Sequence, residues 1–411
     1  MTEAPAIRKH GKNAFLFVIV CVAMDMMGFG IIIPVMPSLL EELTGQPPEE
    51  TIVIAGYLMA TYGILNFAAM PTIGNLSDRF GRRPVLLVSI ATLGMDFIIM
   101  GLADSVWLLF IGRALTGISS ATFSTANAYI ADVTEPEERG KAFGMIGAAF
   151  GIGFILGPAI GGILAGADPA NADFRTPSFA AAGLSALACV LGLFTLKESL
   201  STEARARIAD QTRVARMKAL ADALRTPGVG VLLILAFLAT FVFAGLESTF
   251  AMWSRRQYGW GPEQNGYLFA FIGVLAAMIQ GGLMGKLANK FGVERLIFAG
   301  AVALAVGLAW IPFTGSVSEL VAAMTVAALG FSITTPALNT AISVRGESDV
   351  QGGLMGVTRS ATTLSRMTGP AVAGTAFGFI GLHSPYYAGA VIMVIVAAIT
   401  FFKLLTPPRK P

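Results

Sequence analysis

An all-α integral membrane fold, with twelve transmembrane helices in two pseudo-symmetric bundles of six, is predicted by three features of this 411-residue chain. Its composition is 55% hydrophobic and 13% charged, whereas soluble domains average roughly 45–50% and about 25%. Its apolar residues gather in windows of about 20, the length that crosses roughly 30 Å of hydrocarbon. Its first half also returns in its second. Gly74-Asn-Leu-Ser-Asp-Arg-Phe-Gly81 reappears, degraded, as Gly285-Lys-Leu-Ala-Asn-Lys-Phe-Gly292, and Gly157-Pro158 reappears as Gly369-Pro370 at nearly the same spacing. Two echoes in one register mark a duplication. The bundles are expected over 1–198 and 228–411, joined by a cytoplasmic linker over 199–227.

The same composition excludes several classes. A net charge of +3, with no basic run interleaved with aromatics, gives no footprint for nucleic acid. Cys21 and Cys189 both lie inside apolar windows, so neither a disulfide framework nor a thiolate metal site is expected. His10 and His383 fall in a tail and a loop, and metal chemistry is excluded with them. No Ser or Cys has a His near it in any window, and the glycines face helices rather than a phosphate after a strand, so no enzyme is expected.

The first window, 13–37, follows Arg8, Lys9 and Lys12 as a signal peptide would. The apolar run continues past Asp25 to Ile33 without a small-residue cleavage site, so it reads as a retained helix. Pro34 and Pro37 bend its outer end, a feature that cavity-lining helices tolerate. The second and third windows, 51–74 and 84–103, flank a turn whose Asp78, Arg79, Arg82 and Arg83 cannot sit in hydrocarbon. Gly74 and Gly81 allow the bend, and Pro84 can open the next helix. The fourth, fifth and sixth windows cover 106–130, 140–165 and 176–196. The fifth carries Gly153, Gly157 and Gly161 four apart, a flat face that lets another backbone approach, together with Pro158 and Gly162.

The linker holds Arg205, Arg207, Arg213, Arg216, Lys218 and Arg225, with apolar positions spaced for a helix on the membrane surface; a plain tether is the other reading. Six more windows cover 229–254, 264–287, 294–313, 318–341, 352–377 and 385–404. The loops with Arg79, Arg139, the linker, Lys290 and Arg345 fall on one side with both tails, while the other side holds only Arg175, Arg255 and Arg256. The basic excess places both termini in the cytoplasm, in the inner (plasma) membrane.

The turn from Gly74 to Pro84 resembles the signature of the major facilitator superfamily between its second and third helices, G-x-L-x-D-R-x-G-R-[RK]-x. Asp132-Val-Thr-Glu-Pro-Glu-Glu-Arg-Gly140 resembles the family's second cytoplasmic signature. Its carboxylates lie on the face of Arg79, Arg82 and Arg83, either as ion pairs that close the cytoplasmic side in one state and break in the other, or as a solvated acidic loop. Gly74, Asp78, Arg79, Gly81, Arg82, Arg83, Asp132 and Arg139 make up this expected cytoplasmic gate. Gly153 to Gly162 resembles the family's antiporter motif, G-x-x-x-G-P-x-x-G-G, and so implies an exporter of the 12-helix drug/proton antiporter branch. Asp25 with Gly28-Phe-Gly-Ile-Ile-Ile-Pro, Asp78 to Pro84, Asp96, and Gly112 to Gly117 bring the chain nearest to the tetracycline-exporter group. It departs from that group in the ninth segment, which lacks their Asp, in the eighth, which lacks their His, and at Asn66, where they usually have Gln.

Ionisable groups retained in hydrocarbon cost several kcal/mol each and mark function. They are Asp25, Asp96, Arg113, Glu247, Arg359 and Arg366. Asp25, near the middle of the first segment, is the expected proton carrier, with Arg113 holding it ionised; a permanent Asp–Arg pair that only fixes packing is the alternative. Glu247 either supplies the missing carboxylate of the second half or is a rim residue paired with Arg255. Arg366 either reaches the cavity, favouring acidic or metal-chelated cargo, or partners the helix-5 end or a loop carboxylate. Tyr57, Tyr62, Asn66, Asn127, Phe269, Phe271 and Asn339 offer cavity stacking surface and hydrogen bonds.

The reading is therefore a proton-coupled exporter of amphipathic small molecules by alternating access between two rocking halves. It works in the lipid bilayer as a functional monomer, with no cofactor beyond the proton gradient. An importer or exporter of a metabolite such as a sugar or organic acid would share the fold.

Overall fold

The computed structural model describes residues 7–46, 48–120, 122–134, 139–200, 228–345 and 351–406. The expected surface helix of the linker, beyond Leu200, lies outside the described residues, as do Glu135, Glu137 and Glu138. Among the described residues every regular element is helical. Backbone groups in hydrocarbon must bond within their own segment, and a helix does this for an apolar window of any sequence.

The first half contains α1 (Ile7–Thr44), α2 (Pro48–Phe80), α3 (Arg82–Leu102), α4 (Val106–Ser119), α5 (Thr122–Val133), α6 (Arg139–Ala165) and α7 (Arg175–Thr195). The second contains α8 (Val229–Tyr258), α9 (Pro262–Met278), α10 (Met284–Phe291), α11 (Val293–Trp310), α12 (Val317–Arg345), α13 (Gln351–Phe379) and α14 (Ser384–Thr400). The fourth window is split into α4 and α5, and the eighth into α9 and α10 by a π-helical turn, Ile279–Leu283. Among the described residues nine stretches are long and apolar enough to cross a membrane. The windows at 140–165, 264–287 and 352–377 are helical as well.

The expected turn is tighter than its sequence suggests. Helix α2 runs through Gly74 to Phe80, so Gly74 makes no bend, and Gly81 alone separates α2 from α3 with a φ of 108°. Gly292 repeats this between α10 and α11 with a φ of 82°. Only glycine enters that region without steric cost, which is why both halves carry it there. Pro84 sits in the first turn of α3, where a missing N–H is harmless.

The chain forms two compact units. One comprises Met1–Gly45, Ile64–Gln211 and Gly259–Ala270, and the other Gln46–Gly63, Thr212–Tyr258 and Phe271–Pro411. In the first, α1 packs on α6, and α3 on α7 and α4. In the second, the duplicated partners do the same: α8 packs on α13, and α11 on α14 and α12. A Cβ at Gly157 would lie 2.5 Å from the Met27 carbonyl oxygen and 2.8 Å from the Gly30 Cα, and one at Gly161 2.5 Å from the Ile31 carbonyl oxygen. The counterpart of Gly157, Gly369 of α13, would meet the Phe241 carbonyl oxygen of α8 at 2.6 Å. The glycine face thus does what its spacing predicts, bringing backbones into contact.

At one end of the second unit, Trp253 is fully buried and donates its Nε1–H to Nδ1 of His383 at 3.1 Å. That bond needs a neutral imidazole, and burial pushes the His383 pKa below its ordinary 6.5. A depressed folded-state pKa means that the unfolded chain binds the proton more readily. The bond's contribution, about 1 kcal/mol, is therefore whole above the unfolded pKa and is lost as pH falls through the folded one. Thermal unfolding in detergent should show a lower midpoint at pH 5 than at pH 8, and His383→Gln, an acceptor that does not titrate, should flatten that difference. An unchanged slope in the variant would remove His383 as the cause.

Candidate functional site

At the turn between α2 and α3 the charges form a compact cluster. Arg82 places Nη1 2.6 Å from Asp78 Oδ1 and Nε 3.3 Å from Asp132 Oδ2 at the end of α5, and donates to Ser77 Oγ at 3.0 Å. Arg82 is buried, so two carboxylates on one guanidinium are what make it tolerable there. Arg83 turns away and donates to the Leu193 carbonyl at 2.7 Å, while Arg79 is exposed, 5.5 Å over the Phe80 ring. Arg139 begins α6. In the second half Glu294, two residues after Gly292, meets Arg345 at the end of α12 at 3.5 Å.

Along α6, Gly153, Gly157 and Gly161 face α1, with a Cβ at Gly153 meeting the Met26 Cβ at 2.8 Å. Gly162 faces the start of α9 instead, where an added Cβ would lie 3.0 Å from the Gly266 Cα. Pro158 lies inside α6 beside Gly30, its Cδ meeting a Cβ added there at 2.7 Å.

Of the groups in the apolar segments, Asp25 is half-buried on α1, near the Thr122 side chain at the start of α5. Arg113, expected opposite Asp25, is ion-paired with Asp96 of α3, Nη2 to Oδ2 at 2.7 Å. Gly112 explains the choice, because the Asp96 carboxylate sits where a Cβ at 112 would be. Among the described residues no Lys or Arg pairs with Asp25. Glu247 is buried on α8 and is ion-paired with Arg366 of α13, Nη1 to Oε2 at 3.5 Å. Among the described residues its other oxygen, Oε1, is buried without a donor.

The expected cavity residues divide between the units. Tyr57, Tyr62, Asn339 and Arg366 belong to the second, and Asn66, Asn127 and Phe269 to the first. Tyr57 and Asn339 are exposed, while Phe269 is buried. Asn66 is buried, and its Nδ2 donates to the Gly117 carbonyl at 3.3 Å and to the Ser120 carbonyl. Those carbonyls lie where α4 ends and α5 has not begun, so Asn66 satisfies acceptors that the break leaves open. The polar run Ser119-Ser120-Ala121-Thr122 was the signal for that break. Sequence reasoning also missed Glu198 and Ser199, which reach the Arg82 cluster.

A family model described as Major Facilitator Superfamily matches residues 18–359 and 275–411. The chain is 33% identical to the class C tetracycline resistance protein of Escherichia coli over 367 residues, covering 88% of this chain and 89% of that protein. It is 30% identical to multidrug resistance protein 2 of Bacillus subtilis (strain 168) over 398 residues, 95% of this chain and 94% of the relative. Its fold is that of the human organic anion transporter MFSD10 (TETRAN), with a TM-score of 0.71, 22% identity, and coverage of 96% of this chain and 100% of the other.

Proposed function

This chain belongs to the Major Facilitator Superfamily, and on that footing we propose that it is a proton-coupled exporter of amphipathic small molecules, tetracycline-like compounds among them. It is a transporter with membrane-spanning helices. In the proposed reading it carries twelve spans as two bundles, 1–198 and 228–411, in the inner membrane with both termini in the cytoplasm, and it works as a monomer without a cofactor. Kinship with tetracycline and multidrug resistance proteins at 30% identity or more supports a drug as cargo.

The observation that carries the reading is Asp25. A carboxylate held in an apolar segment, with a hydroxyl beside it and no described cation paired to it, is a group that can exchange a proton for cargo. Arg113 has its charge met by Asp96 and so leaves Asp25 to titrate. Glu247 and Arg366 offer a second exchange point in the other unit. Asp78, Arg82 and Asp132 form the cytoplasmic gate, and the glycine seam with Pro158 lets α1 and α6 pack closely enough to hold the first bundle rigid while the halves rock.

The test is expression in a pump-deficient bacterium, followed by everted vesicles. The gene should raise the tolerated concentration of tetracycline or of a lipophilic dye at least several-fold, and adding that compound to energised vesicles should release protons. Proton-driven uptake of a sugar or organic acid by intact cells, with no change in drug tolerance, would replace the reading with that of a metabolite importer.

A further inference from the structure

The gate cluster does not end at the turn between α2 and α3. Glu198, just beyond α7, accepts hydrogen bonds from the Arg82 backbone N–H on Oε1 at 2.8 Å and from the Arg83 N–H on Oε2 at 3.2 Å. The same Oε1 accepts from the backbone N–H groups of Ser199 at 3.1 Å and Leu200 at 3.2 Å. Helix α3 needs such a partner, because its N-cap residue is Gly81, which has no side chain to cap the first N–H groups. A carboxylate there also meets the positive end of the helix dipole. Three further bonds fasten the same stretch. Ser199 Oγ donates to Asp132 Oδ2 at 2.8 Å, Tyr129 donates its hydroxyl to the Lys197 carbonyl at 2.8 Å, and Arg83 donates to Leu193. Asp132 therefore takes a bond from Arg82 and another from Ser199.

We propose that Glu198 and Ser199 are positioning residues of the gate, and that the start of the linker is built into the gate cluster rather than leaving the bundle as a bare tether. Glu198 fixes the backbone of Arg82 and Arg83, and that backbone sets where the Arg82 guanidinium meets Asp78 and Asp132. Ser199 holds Asp132 from the other side. The inference rests on the exporter reading for its effect on transport, but its structural part stands alone.

Glu198→Gln keeps the shape of the side chain and removes its charge and half its acceptors. In the purified full-length protein, hydrogen exchange of the Arg82 and Arg83 amides should speed up at least about tenfold. In vesicles, proton-driven tetracycline or ethidium transport should slow about tenfold with the half-saturating concentration unchanged, because cargo contacts are untouched. With Asp132→Asn added, the double variant should be no slower than Asp132→Asn alone, since both act on one cluster. Ser199→Ala, which removes a single bond, should slow transport a few-fold and decides the matter if Glu198→Gln does not fold. Unchanged exchange at Arg82 and Arg83, wild-type rates in either variant, or additive slowing in the double variant would each overturn the proposal. If wild-type vesicles move neither probe, the exporter reading fails, and amide exchange alone then decides whether Glu198 holds the turn.

Discussion

Asp96→Ala should destabilise the protein by about 3–5 kcal/mol, and Arg113→Ala by a similar amount, because each leaves its partner's charge buried and unmatched. The Asp96 side chain is 2% exposed and that of Arg113 11%, so water cannot take over the missing partner's role. The Asp96 carboxylate is lodged in the space that Gly112 leaves. Removing both charges together, as Asp96→Ala with Arg113→Ala, should cost well below the sum of the two singles, since no unmatched charge is left buried. The check is urea or thermal unfolding in a fixed detergent for the singles and the double. Singles within about 1 kcal/mol of wild type would show that the pair is hydrated and weak. A double variant as unstable as the sum of its singles would mean that the residues do not act as a pair.

How far the sequence reached, and where it stopped, follows from what a linear pattern can hold. Helix content, the apolar windows and the two-fold repeat are local or periodic, and each is present in the structure as helices and as paired packing of α1 on α6 and α8 on α13. The glycine seam was legible for the same reason, since spacing along one helix fixes its face. The partner of Arg113 was not legible in this way. Asp25 and Asp96 are both single acids in apolar segments, and nothing in either segment says which neighbour α4 presents its arginine to. The clue lay in Gly112, a small residue next to the arginine, which makes room for a carboxylate only on the helix that packs there. Asn66 looked like a cavity amide because polar residues in apolar segments usually face water or cargo; here the break between α4 and α5 claims its amide N–H groups. Glu198 fell at the seam between a bundle and a linker, where a carboxylate reads as solvated, and only the backbone geometry of the Gly81 turn shows that it has donors to meet.

Asp25→Asn tests the coupling itself. An amide keeps the size and the hydrogen-bonding capacity of the neutral acid, so the substitution should leave folding and cargo binding largely intact. It removes the one group of α1's apolar run that can change charge. Export against a concentration gradient, driven by a pH difference, should therefore vanish, because each cycle would return without having carried a proton. Exchange of labelled for unlabelled cargo across the membrane needs no net proton movement and should continue at a rate near that of the wild type. Cargo affinity should depend on pH in the wild type and lose that dependence in the variant, since the competing proton has no site left. The three measurements separate the alternatives. Loss of exchange along with uphill export would make Asp25 a binding or packing residue. Survival of uphill export would move the proton to Glu247, whose Oε1 is buried without a donor among the described residues and whose Arg366 partner sits at 3.5 Å. In that case Glu247→Gln, and not Asp25→Asn, should produce the split between exchange and concentration.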